Sequence, residues 1–301
     1  MNAQQIFSKT MPFVWAKLLL GLVTIVASAL LFALLMGIAW LFNSGGVGII
    51  MFIVWLAATA VIRFVIMHYI GYLVKAGHIA VITEAVITGR IPENQVAYGK
   101  EKVKERFATS NVYFAVDKLI TAAVKQIQHG IGKLGDALSF LPGMGALTGL
   151  VKYFIELSLG YVDECCLGYT FYKKEHDAFK SAADGVVIYA QNWKILLGNA
   201  AKTMAMVVLG LIVITFGLFL VLGILFRILS WPGWIAFIIS IFIALAVKFA
   251  FIDSFILTRT MVTYMGVAPA TEITYDLYSK LCNISQKFRE LFDKGKTDES
   301  S

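Results

Sequence analysis

Four stretches of the chain are apolar with almost no polar interruption: Leu18–Phe42, Val47–Val74, Thr203–Leu229 and Trp234–Leu257. A helix needs about 20 apolar residues to cross a hydrocarbon core, so each stretch predicts a transmembrane span. The first two are joined by Asn43-Ser44-Gly45-Gly46 and the last two by Ser230-Trp231-Pro232-Gly233. Both connections have turn composition and neither carries a charge. The pattern predicts two tight transmembrane hairpins, at 18–74 and 203–257.

Elsewhere the period changes. Tyr113, Val116, Ile120, Val124, Ile127 and Ile131 recur at steps of three to four, with Lys and Gln between them, which predicts an amphipathic helix within a region 75–136. Residues 137–172 are apolar but interrupted by Pro142, by glycines and by Lys152, Glu156, Asp163 and Glu164. This stretch is read as interfacial or re-entrant helices, with a full crossing as the alternative, which would carry the next lysines to the side that the charge rule disfavours. A second amphipathic segment follows at 173–202. After the last span, Pro269-Ala270-Thr271 opens a helix with a stripe at Ile273, Leu277, Leu281, Ile284, Phe288 and Leu291. With the N-terminal 1–17 and the C-terminal 258–301, these divisions describe an all-α integral membrane protein.

Composition agrees: 59% of the 301 residues are hydrophobic, 15% are charged, and the mean hydropathy is +0.77. Globular chains carry about 25% charged residues, so a soluble enzyme, a disulfide scaffold and a disordered chain are all poor fits. The first apolar run is too long for a signal-peptide core, and no small-residue cleavage site follows it. Charge also orients the spans. Of 26 Lys and Arg, nine fall between Lys75 and Asp136, five between Lys173 and Lys202, and six from Arg259 onward, with none in the hairpin turns. The positive-inside rule then puts the turns outside, and both termini and the central region in the cytoplasm of a cell-membrane protein. Trp40, Trp231 and Trp234 mark the outer boundary; Trp15, Tyr69 and Tyr72 mark the inner one. The net charge of +7 is interspersed with carboxylates, so anionic inner-leaflet lipid, not nucleic acid, is the expected partner. A homo-oligomer is also expected.

Candidate chemistry is sparse. Arg63, His68, Lys248 and Asp253 are the ionisable groups within the second and fourth spans, where lipid cannot solvate them and a functional role is the default hypothesis. At 1.5 Å per residue, Lys248 lies about 21 Å below Trp234, within snorkelling reach of the inner headgroups. Asp253, five residues on, falls on another face of an α-helix, so Glu156 or Asp163 is the better-placed partner for Lys248 on this reading. Lys152, Glu156 and Asp163 share one helical face, with Glu164 just off it. They could attract a cation or relay protons, or simply wet an amphipathic helix. Gly130-Ile131-Gly132-Lys133-Leu134-Gly135 spells a dinucleotide fingerprint but lacks the preceding strand. Cys165 and Cys166 have no metal-site spacing and read as buried thiols or acylation sites. No cofactor, metal site or nucleophile–base pair is expected, and the chain is read as a non-enzyme.

From Cys165 to about Thr260 the chain resembles the C-terminal part of choline transporter-like proteins. The resemblance rests on the pair Cys165-Cys166, on Phe179-Lys180-Ser181-Ala182-Ala183-Asp184 followed by Asn192, and on a final span ending around Asp253 among phenylalanines. It implies a multi-pass transport fold. That family is longer, with more spans and a large extracellular loop, and no choline site is carried over. Two functions follow from the sequence: passage of a small solute or ion, lined by 152–163, Arg63 and Lys248, or a non-catalytic membrane organiser whose cytoplasmic helices bind a partner.

Overall fold

The computed structural model describes residues 1–66, 70–107, 110–138, 161–228, 230, 233–273 and 275–297. Among these residues the chain is helical and contains no strand. Four helices are long and apolar enough to cross a membrane. In order the elements are α1 (Ala3–Lys9), α2 (Met11–Leu41), α3 (Gly45–Val65), α4 (Gly71–Thr88), α5 (Gln95–Phe107), α6 (Ser110–Leu138), α7 (Val162–Tyr172), α8 (Ala178–Gln191), α9 (Trp193–Ile228) and α10 (Gly233–Val247). A π-turn (Lys248–Ile252) then leads into α11 (Asp253–Val267), a 3₁₀ turn (Ala268–Ala270), α12 (Tyr275–Ile284) and α13 (Gln286–Thr297). The chain divides into two compact units, one of Met1–Thr10, Ala76–Met206 and Phe255–Ser301, the other of Met11–Lys75 and Val207–Ser254.

The second unit holds the predicted spans. None of the residues of α3 is buried. Leu209, Val213, Phe216 and Leu220 of α9 are likewise exposed. Apolar groups left outside the protein on this scale need lipid around them. The first hairpin turns at Asn43, whose φ of 45° is left-handed, a conformation that Asn tolerates better than most residues. Its two helices are joined at depth by hydroxyls: Ser28 Oγ and Thr59 Oγ1 lie 2.8 Å apart, and Trp55 Nε1 donates to the Ser28 carbonyl at 2.9 Å. Across the second hairpin, Phe219 meets Phe237 edge to face.

The first unit is built from helices with one apolar stripe each. Of the stripe predicted on α6, Tyr113, Val116, Ile120 and Val124 are buried and Ile127 is half-buried. Helix α7 lies in the interior of this unit, with Val162 and every residue from Glu164 to Phe171 buried. Its Gly168 leaves no room for a Cβ against Met261 and Thr83. Close backbone approach recurs at Gly99, where a Cβ would stand 2.8 Å from Gly77 Cα.

The single C-terminal helix expected from the stripe is two. Ser285 interrupts it because its Oγ accepts from the Phe288 N–H at 3.0 Å and so caps α13. The same hydroxyl donates to Gln126 Oε1 of α6 at 2.8 Å. Leu281, Phe288 and Leu291 are buried, whereas Ile284, at the break, is exposed.

Candidate functional site

One polar cluster of the membrane unit lies at the end of the fourth span. After Val247 the helix opens into i→i+5 bonding, and the Asp253 N–H donates to the Lys248 carbonyl. That turn brings the two side chains onto one line. Lys248 Nζ donates to both carboxylate oxygens of Asp253, at 2.8 and 3.0 Å, with both groups about one-third exposed. The sequence reading, which sought the partner of Lys248 among Glu156 and Asp163, is corrected here. It assumed α geometry, in which residues five apart point about 140° apart; a π-turn removes that separation.

Beside this pair stands a lysine that lies one residue ahead of the first predicted span. Lys17 of α2 is 4% exposed, and its Nζ donates to Ser254 Oγ at 2.9 Å. Helices α2 and α10 pack closely at Gly21, where a Cβ would lie 3.1 Å from Ala246 Cβ. Trp15 meets Phe251 of the turn edge to face at 5.4 Å, and Gly210 of α9 makes room for Ile252. A buried ammonium, an ion pair and a hydroxyl are thereby held between α2 and the end of the fourth span.

The other predicted residues fall elsewhere. Arg63 is exposed in the last turn of α3, where a cation suits the helix dipole. His68, Lys152 and Glu156 lie outside the described residues. Asp163 and Glu164 occupy the first turn of α7 in the other unit, also a favourable dipole position. Cys165 and Cys166 are fully buried, and that burial pushes both thiols well above their ordinary pKa. A thiol so placed is neither nucleophilic nor open to acylation.

The first unit contains a polar centre that no motif announced. Asp184 of α8 is 3% exposed. Tyr278 of α12 donates to its Oδ1, and His176 Nδ1 lies 3.3 Å from its Oδ2. Arg106 of α5 gathers the loop before α8. Its Nη2 donates to the carbonyl of His176 at 2.9 Å, to that of Lys173 at 3.3 Å and to Ser181 Oγ at 2.8 Å. Burial lowers the Arg106 pKa, against the pull of Asp177 and Glu175. Burial, helped by the Asp184 charge, pushes the Tyr169 phenol up to about 12. Asp184 closes the segment that carries the choline transporter-like resemblance, and its burial could have been suspected from the apolar residues on either side of it. Tyr278 and Arg106 gave no such signal.

Ser181 Oγ donates to the Lys173 carbonyl at 2.8 Å. Among the described residues no group of three His, Cys, Asp or Glu could hold a metal ion. Comparison with protein-family models, curated proteins and solved structures found no match to this chain.

Proposed function

We propose that the protein is a non-catalytic, multi-pass membrane scaffold, in which four spans hold a helical module at the cytoplasmic face of the cell membrane. The observation that carries this reading is where the membrane unit keeps its charges. Lys17 lies in the second turn of α2, Arg63 in the last turn of α3, and the Lys248–Asp253 pair at the end of the fourth span. All four sit toward the ends that the positive-inside rule assigns to the cytoplasm, while Arg227, in the last turn of α9, stands at the opposite end. Charges placed toward the ends of the spans serve anchoring and register, whereas a solute path needs polar groups through the depth of the bilayer.

The basic residues flanking the spans favour anionic inner-leaflet lipid as the first partner, with both chain ends on that side. A second copy of the chain could cover part of the lipid-facing surface. The choline transporter-like resemblance sustains a second reading, passage of a small solute or ion. One observation favours it: π-turns occur often at functional sites, and this one carries an ion pair beside a buried lysine.

Flux into proteoliposomes separates the two. The scaffold reading expects no uptake of quaternary ammonium or inorganic ions above that of empty vesicles. Uptake that Lys248→Met abolishes, with the protein still folded, would replace the scaffold by the transport reading.

A further inference from the structure

We propose that Asp253 has two alternative lysine partners and that the π-turn is a one-residue register switch between them. In the observed register Asp253 pairs with Lys248, and Ser254 faces Lys17. A π-turn holds one residue more per hydrogen-bonded ring than an α-turn. If the turn closes to α while α10 stays packed on α2 at Ala246 and Gly21, every following residue advances by one helical position. Asp253 then takes the place of Ser254 opposite the Lys17 ammonium, and its bond to Lys248 opens, because residues five apart in an α-helix point about 140° apart.

Both registers leave the carboxylate bonded to a cation. In the second, Lys248 is released at a depth from which its stem reaches the headgroups. An element with two satisfied arrangements is what a conformational switch requires. The turn is also the place where α geometry is already given up, so closing it restores regular backbone bonding. Trp15 against Phe251 and Lys17 against Ser254 are the contacts that hold the observed state.

The test uses the full chain in detergent or nanodiscs and needs no ligand. A zero-length carbodiimide joins an amine to a carboxylate in contact, and peptide mass spectrometry reads which pair has been joined. The wild type should yield the 248–253 product. Lys248→Met, or Lys248→Gln if the first does not fold, should yield the 17–253 product at least tenfold above wild type.

A second measurement does not depend on reagent access. In the Lys248→Met background, Asp253→Asn should lower the melting temperature, because the carboxylate is then held by Lys17. If Asp253→Asn raises the melting temperature or leaves it unchanged, Asp253 has found no second partner and the switch is overturned. Absence of the 17–253 product in a Lys248 variant, while wild type couples at 248–253, overturns it equally.

Discussion

Lys17 and Ser254, 237 residues apart in the chain, are joined by a 2.9 Å hydrogen bond in which the lysine ammonium donates to the serine hydroxyl. Both residues are buried. The bond ties the start of the first span to the end of the fourth. A hydrogen bond to a charged group contributes about 1.5–3 kcal/mol. Ser254→Ala should therefore lower the melting temperature by several degrees, and Ser254→Thr, which keeps the hydroxyl, by much less. Equal melting temperatures for wild type and Ser254→Ala would show that the bond contributes nothing.

The polar centre of the other unit makes a separate prediction. Tyr278 donates to a carboxylate buried at Asp184, so Tyr278→Phe leaves a buried anion short of a donor and should cost about 1.5–3 kcal/mol. Asp184→Asn in the Tyr278→Phe protein should recover part of the loss, since the charge is then gone. Denaturant titration of the four proteins measures the coupling.

Thiol chemistry reports on burial and on sidedness together. The folded-state pKa of Cys165 and Cys166 is raised by burial, so their neutral form contributes stability below the ordinary thiol pKa. That contribution is lost as pH rises above it. At neutral pH both should resist thiol reagents until the protein is denatured. Cysteines placed at Ser44 and Ser230 should react with an impermeant reagent added outside intact cells, and half-buried Cys282 only after the cells are opened. Labelling of Cys282 from outside would reverse the orientation.

Gly99 tests the packing of α5 on α4. A Cβ there would stand 2.8 Å from Gly77 Cα and 2.9 Å from its carbonyl oxygen, both backbone atoms. Backbone yields poorly, so Gly99→Ala should destabilise by about 1–3 kcal/mol. Gly37→Ala, where the Cβ meets nothing within 4 Å, is the control and should be neutral or slightly stabilising.

The four spans and the turns at 43–46 and near 230 were readable along the chain, because a bilayer imposes length and apolarity on each span separately. The α6 stripe was readable for the same local reason: burial on one face leaves a period of three to four. The break at Ser285 was less so, since a serine in a continuous stripe becomes a cap only when Gln126 stands beside it.

What the amino-acid order determined by itself is thus the class of the protein, its four apolar helices and the positions of its ionisable residues. Tertiary structure decided which of those residues meet. Lys248 and Asp253 pair only because the backbone departs from α geometry for five residues, and helical periodicity read from a sequence presupposes that it does not. Lys17 and Ser254, or Asp184 and Tyr278, are brought together by packing across 237 and 94 positions. Periodicity records which face of a helix is buried and carries no trace of what lies opposite. Hydrogen-bond partnership in a low-dielectric interior is a property of pairs of helices, and it exists only once they have docked.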